Sequence, residues 1–390
     1  MIAPASQNLF QRAIMESGSC DIGQIPLTYM EMIGDDISSY FCNSSSNMIS
    51  CLQSIDVMSL LQYCASKDYL NFFGSVAFHP PIDGLIIPDS ITKLFRTKAY
   101  PTNISLLTGT TSAEFGLFIA GDFEPGWYIG NISQAILSQW VQLYSKGQSA
   151  YLNTTYNPYI NPYVPQILLN YYGLTDALST GVIQCPVRRI AGYLANNGSG
   201  SVYLYSFNYI PLSSPFVDLS QSVHGQELPF VFNMANSSAL TQIIFPVNTF
   251  NADEQILASA MSLLWIRFIV NGNPNTPLNN ETTNPLINQL SQLGGWPIYS
   301  PANVSSYIII SNTVPRNSSA TIQLATTGYH SPTCAEWDAV IPNPNITKLC
   351  NTGYTGSNCT QINGAILNTI SFFIFNPILI FMSLCHLNYF

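Results

Sequence analysis

The sequence predicts an α/β fold. Short apolar or aromatic runs of strand length alternate with longer stretches of helical character, and clusters of Gly, Pro, Asn and Ser separate them. The apolar share is 47%, with 22 Tyr and 21 Phe, enough for a large core in 390 residues.

The elements follow in order. Leu9 to Met15 ends in Ala13-Ile14-Met15 and runs into the turn Ser17-Gly18-Ser19, a strand meeting a tight bend. Met30 to Cys64 is helical in composition, broken around Cys42–Cys51, and Pro80-Pro81-Ile82-Asp83-Gly84 is a turn cluster. Ile104 to Leu107 reads as a short buried strand running into Thr108-Gly109-Thr110-Thr111. The Asn/Pro/Tyr-rich stretch Tyr151 to Pro165 reads as a surface excursion. Val182 to Leu194 is a helix, Asn196 to Gly200 a turn, and Val202 to Tyr209 an aromatic strand. Asp253 to Val270 is the clearest helix. Ile256, Ala260, Leu263, Leu264 and Phe268 form its apolar stripe, Asp253 and Glu254 suit its N-terminal dipole, and Gly272 stops it. No internal repeat is visible.

Charge excludes several classes. Only 31 side chains are charged, 8% of the chain against about 25% in ordinary soluble domains. A net charge of −9 with 11 Lys+Arg argues against nucleic-acid binding. Hydration then needs another source, and the chain offers 11 Asn-x-Ser/Thr sequons, at Asn43, Asn103, Asn131, Asn153, Asn197, Asn236, Asn280, Asn303, Asn317, Asn345 and Asn358. They point to a secretory route. Met1 to Cys20 has no signal-peptide character, so the expectation is that the true N-terminus lies upstream.

Nine cysteines agree with an oxidising compartment. No CxxC or Cys/His cluster has metal spacing, so no zinc or other cofactor is expected. Cys42 and Cys51 flank a short polar run, a spacing that suits a small disulfide loop, and Cys350 and Cys359 repeat it. An odd count leaves one cysteine over, Cys385 being the obvious one, and the pairing of Cys20 and Cys64 is open.

Seven ordered blocks carry a resemblance. They are Asn8-Leu9-Phe10-Gln11-Arg12-Ala13-Ile14-Met15-Glu16-Ser17-Gly18; Pro81-Ile82-Asp83-Gly84 with Pro88-Asp89; Gly109-Thr110-Thr111-Ser112-Ala113-Glu114; Val223-His224-Gly225-Gln226-Glu227-Leu228-Pro229-Phe230-Val231-Phe232; Trp265-Ile266-Arg267-Phe268 with Gly272-Asn273-Pro274-Asn275; Trp296-Pro297-Ile298-Tyr299; and Cys334-Ala335-Glu336-Trp337. Together they resemble the type-B carboxylesterase/cholinesterase family over residues 1–342. The resemblance implies an α/β-hydrolase fold, with the C-terminal part of a mixed, mostly parallel sheet, and ester hydrolysis by a Ser…Glu…His triad. Carried over, Glu114 is the triad acid, His224 the general base, and Ser17 a serine that supports the acid. Phe115 stands where the family has Gly, with Gly116 one place later. Cys42–Cys51 and Cys185–Cys334 match family disulfides. Gly74 and Val76 fall where the family lines its acyl pocket, and their small size implies a roomy one that takes carboxylic esters broadly.

The nucleophile is absent from this pattern. No Gly-x-Ser-x-Gly pentapeptide occurs in the 390 residues. In the family it lies just ahead of the segment corresponding to Pro4 to Phe10, so the expectation is that it precedes Met1 and that this chain is a C-terminal portion, inactive as given.

Residues 343–364 read as a linker, in which Cys350-x-x-Gly-Tyr-x-Gly-x-x-Cys359 resembles the last loop of an EGF-like module. Residues 365–387 are mostly apolar, long enough to span a bilayer, and no charged residue follows Lys348. Either a spanning helix or a cleaved lipid-anchor signal fits, and both place the protein at the cell surface. The expected substrate is a small ester. The competing expectation is a non-catalytic surface or adhesion protein on the same scaffold.

Overall fold

A computed structural model describes residues 1–19, 26–67, 80–101, 103–120, 132–145, 149–156, 158–198, 200–212, 214, 219–234, 250–303, 306–314, 317–330, 333–339, 354–355 and 361–362. The chain forms two units. One holds Met1–Gln7, Cys20–Tyr100 and Pro342–Ser371; the other holds Asn8–Ser19, Pro101–Ile341 and Phe372–Phe390.

The first unit is mostly helical where it is described, with one short antiparallel pair, Tyr354–Thr355 against Gln361–Ile362. It contains α1 (Leu27–Cys42), α2 (Met48–Gln53), α3 (Val57–Ser66) and α4 (Ile91–Arg96). Side chains start the last three: Asn47, Asp56 and Ser90 each accept a backbone N–H at the open N-terminal turn. The Cys42–Cys51 disulfide ties α1 to α2. The Tyr63 hydroxyl donates to Asp36 at 2.8 Å, and its ring stacks on Tyr40 at 4.1 Å, joining α3 to α1. Cys64 is a buried free thiol.

The second unit is built on a five-stranded sheet in the order β1 (Arg12–Glu16), β2 (Ser105–Thr111), β3 (Val202–Asn208), β4 (Ile308–Asn312), β5 (Ala320–Leu324). The first four strands are parallel and β5 is antiparallel to β4. Around it lie α5 (Gly116–Ala120), α6 (Gln134–Ser145), α7 (Ala150–Tyr156), α8 (Leu169–Leu178), α9 (Cys185–Asn197), α10 (Leu228–Val231), α11 (Ala252–Asn271), α12 (Pro285–Gln292) and α13 (Thr333–Ala339). A π-helical turn, Ser179–Gln184, joins α8 to α9.

Strand β3 shows why the sheet needs cover on both faces. Tyr203, Tyr205 and Phe207 alternate into a core shared with Leu257, Met261, Leu264, Trp265 and Phe268 of α11. Val202 and Leu204, also fully buried, belong by strand period to the other face, where α9 packs. Helix α9 is pinned in turn to α13 by the Cys185–Cys334 disulfide and by Arg188 and Arg189, both on Asp338.

Four details differ from the sequence reading. Strand β2 extends beyond Leu107 and continues through Thr108–Thr111. Thr108 Oγ1 donates to the Met15 carbonyl at 2.7 Å, and a Cβ at Gly109 would sit 2.4 Å from the Tyr205 ring, so only glycine lets β3 approach. The excursion begins as a docked helix, α7, with Leu152 and Tyr156 buried, while Ile160 and Tyr163 beyond it are exposed. On α11 the stripe is shifted: Ile256 is 37% exposed, whereas Leu257, Met261 and Trp265 are buried. Contact with both the sheet and α10 widens the buried arc beyond one line of the helix. Finally, the helix expected over Val182 to Leu194 opens with the π turn and extends to Asn197.

Among the described residues no helix is long and apolar enough to cross a membrane. The segment 365–387, Cys350 and Cys359, and Gly74 and Val76 lie outside the described residues.

Candidate active site

The site forms at the carboxyl end of β2, where the chain leaves the sheet through Ser112 and Ala113. Open α/β sheets collect their functional side chains at such strand ends. Ala113 pairs in parallel with Val223, its N–H donating to the Ser222 carbonyl at 2.8 Å. That pairing sets the residues one place further on, Glu114 and His224, side by side.

Glu114 is fully buried, and both its oxygens have partners. Oε1 accepts the Thr111 N–H at 2.7 Å, and Oε2 lies 2.6 Å from His224 Nδ1. An ionised carboxylate only accepts, so Nδ1 carries the proton and the neutral ring keeps its lone pair on Nε2. The His224 side chain is 19% exposed, so the buried acid holds an imidazole that still meets the surface. Burial by itself would depress the His224 pKa. The charge and hydrogen bond of Glu114, with the charge of Glu227, outweigh it and raise the pKa above its ordinary value.

The backbone around the acid is held from several sides. Gln184, in the π turn, donates its amide to the Thr111 carbonyl at 2.9 Å, and the Phe115 N–H donates to Ser179 Oγ at 2.9 Å. Phe115 is buried and meets Phe118 edge to face, so the side chain that replaces the family glycine fills core. The tight place falls at Gly116, where a Cβ would lie 2.7 Å from Gln221 Oε1 and 3.0 Å from Val223. Gly225, at φ 77°, turns the chain straight after His224. The Gln226 side-chain oxygen, Oε1, then accepts the Val223 N–H at 2.9 Å.

Ser17 enters the site through another residue. It closes β1 in the left-handed region, φ 49°, and its hydroxyl donates to Glu227 Oε1 at 3.1 Å. Its bond thus goes to Glu227, three residues past His224, while Glu114 takes Thr111 and His224. Glu227 is 1% exposed, and its second oxygen has no partner among the described residues. Burial, then the nearby charges of Glu114 and Glu16, push its pKa up. Glu16 accepts the Trp265 indole N–H at 2.6 Å, and burial raises its pKa to about 7. Glu227, Glu16 and Gln184 had no role in the sequence reading. Glu227 sits inside the His224 block, so its position was legible, but a short-range pattern carries no information on burial.

The structure thus brings Glu114 and His224 together, sets Ser17 at the edge of their surroundings, and contains the disulfides Cys42–Cys51 and Cys185–Cys334. The arrangement can move a proton: His224 can accept one at Nε2 while Glu114 stabilises the resulting imidazolium.

Comparison with known proteins agrees with the fold. The model of the carboxylesterase family matches residues 1–325. Neuroligin-3 of Mus musculus is 25% identical over 293 residues, covering 71% of this chain and 34% of that protein. Acetylcholinesterase of Bungarus fasciatus is 23% identical over 363 residues, covering 88% of this chain and 53% of that enzyme. Carboxylesterase 1C of Rattus norvegicus is 24% identical over 294 residues, covering 70% and 48%. The chain therefore spans between a third and about half the length of these curated relatives. With a mostly parallel sheet, flanking helices and a family match over most of its length, the chain belongs to the carboxylesterase family.

Proposed function

We propose that this protein is a carboxylic-ester hydrolase in which Glu114 orients His224 and His224 acts as general base. The carrying observation is the 2.6 Å contact between Glu114 and a partly exposed His224. His224 Nε2 takes the proton of an attacking serine and then hands it to the leaving alcohol. Because these 390 residues contain no Gly-x-Ser-x-Gly, this reading takes the serine and the oxyanion donors from sequence outside them. Gly74 and Val76 would leave the acyl side roomy and favour broad ester preference over acetyl esters alone.

The same proposal places the protein in the secretory pathway, glycosylated and attached at the cell surface through residues 365–387, with residues 343–364 as linker. Two disulfides fit an oxidising compartment. The test is hydrolysis of nitrophenyl esters of increasing acyl length by protein expressed from its complete gene. Turnover across several chain lengths is expected; no turnover of any ester contradicts the reading.

A second reading is a non-catalytic surface protein on the same scaffold. It is favoured by the missing pentapeptide and by the match to neuroligin-3, whose name carries no hydrolytic activity. Reading the codons upstream of Met1 separates the two: a Gly-x-Ser-x-Gly there supports the enzyme, and a replaced serine supports the surface protein.

A further inference from the structure

We propose that a small cavity beside Arg188 binds an oxyanion of acetate or phosphate size, an assignment independent of the ester reading. The cavity measures about 70 Å3, and neither Glu114 nor His224 lines it. Arg188 of α9 forms one wall. Tyr299, Ser300 and Tyr307 come from the connection between α12 and β4, and Tyr329 from the chain that follows β5. Such a volume holds a few waters or one small oxyanion, and excludes anything much longer.

Charge decides the sign of the ligand. Asp338 accepts from Arg188 through one oxygen and from Arg189 through the other. One carboxylate therefore serves two guanidiniums, and one positive charge is left over. The Arg188 Nε is buried and has no hydrogen-bond partner among the described residues. His330 registers the same surplus: burial, then the charge of Arg188, push its pKa down to about 4, so its imidazole stays neutral and adds no competing cation. An excess of cation beside a cavity is a poor place for another cation and a good one for an anion, although the whole chain carries a net charge of −9.

The hydroxyls decide where the ligand is held. Three tyrosines line the cavity, and two are occupied: Tyr329 pairs with Thr110 of β2, and Tyr307 meets Thr327. Tyr299 is only 6% exposed, yet its hydroxyl makes no hydrogen bond among the described residues. The Ser300 hydroxyl makes none either. Burial raises the Tyr299 pKa, with the charge of Arg188 opposing, so the phenol keeps its proton and can donate it. A buried phenol without a partner is costly unless something in the cavity accepts from it.

The two features converge on one ligand chemistry. The guanidinium supplies the charge and the Tyr299 hydroxyl a directed donor, which together suit an oxygen-bearing anion. A free carboxylate and inorganic phosphate share that chemistry, and the cavity has room for either.

The experiment uses protein expressed from its complete gene. Acetate and inorganic phosphate are titrated separately, and the NMR line width of each ion is followed, with sodium chloride holding the ionic strength constant so that general screening cancels. Saturable broadening of at least one ion is expected: acetate alone assigns a carboxylate ligand, phosphate alone a phosphoryl ligand. The Kd should rise about tenfold in Tyr299→Phe, which removes the hydroxyl and keeps the ring. Binding should be lost in Arg188→Gln, which leaves Asp338 paired with Arg189. Acetate held at the Glu114–His224 site instead would be indifferent to both substitutions. Absence of saturable broadening by either ion, or an unchanged Kd in Tyr299→Phe, overturns the assignment. Should Arg188→Gln fail to fold, Tyr299→Phe decides alone.

Discussion

Glu114 Oε2 and His224 Nδ1 stand 2.6 Å apart although 110 residues separate them in the chain. The contact is a product of the sheet. Parallel pairing of β2 with β3, and the single bridge from Ala113 to Val223, deliver one residue from each loop to the same point.

The first prediction concerns the proton on that histidine. Glu114 and Glu227 raise the His224 pKa against the opposing effect of burial. NMR titration of the imidazole should give a midpoint above the ordinary value of 6.5. In Glu114→Gln the midpoint should fall, because burial persists while the main opposing charge is gone. A midpoint that does not move would show that the two side chains are uncoupled in solution.

Glu16 sets a second pH dependence. Its folded pKa is raised from 4.5 to about 7 by burial, with the Trp265 hydrogen bond opposing. A carboxyl whose pKa rises on folding gives its full stabilisation below its unfolded pKa and loses it as pH climbs through the folded value. Glu227 shifts in the same direction. Thermal unfolding midpoints should therefore decline between about pH 5 and pH 8, and the decline should be shallower in Glu16→Gln. Identical slopes in the two proteins would count against it.

The Cys185–Cys334 bond closes a loop of 149 residues and joins α9 to α13. Replacing both cysteines by serine should lower the unfolding free energy by about 2–5 kcal/mol, read from denaturant titration of tryptophan fluorescence, since Trp265, Trp296 and Trp337 are all buried in this unit. An unchanged midpoint would mean that the Asp338 ion pairs, the Ser149–Glu336 hydrogen bond and the buried Trp337 hold α13 without help from the disulfide.

How much of this was legible from the residues depends on the range of the cause. Helix α11 was readable because its signals are local. Asn251 and Glu254 form a reciprocal capping box, and Gly272 ends the helix at φ 70°. Strand β3 was readable because aromatic residues fill Val202 to Tyr209. The strand read at Ile104 to Leu107 continues through Thr108–Thr111, where Gly109 admits the Tyr205 ring from a strand nearly a hundred residues away. Strand β5 has a mixed pattern, with only Ile322 fully buried, and gains its identity from pairing with β4. In the site, Glu114 and His224 were found through their surrounding motifs. The Ser17–Glu227 bond and the Glu16–Trp265 bond span 210 and 249 residues, a range that no local pattern encodes.

The central claim is that His224 moves the proton in ester hydrolysis, with Glu114 holding it. The most direct measurement compares kcat/KM for a nitrophenyl ester between the protein expressed from its complete gene and its His224→Ala variant, with folding checked by circular dichroism. The account predicts a loss of about 100- to 10,000-fold. Equal rates in the two folded proteins would contradict it.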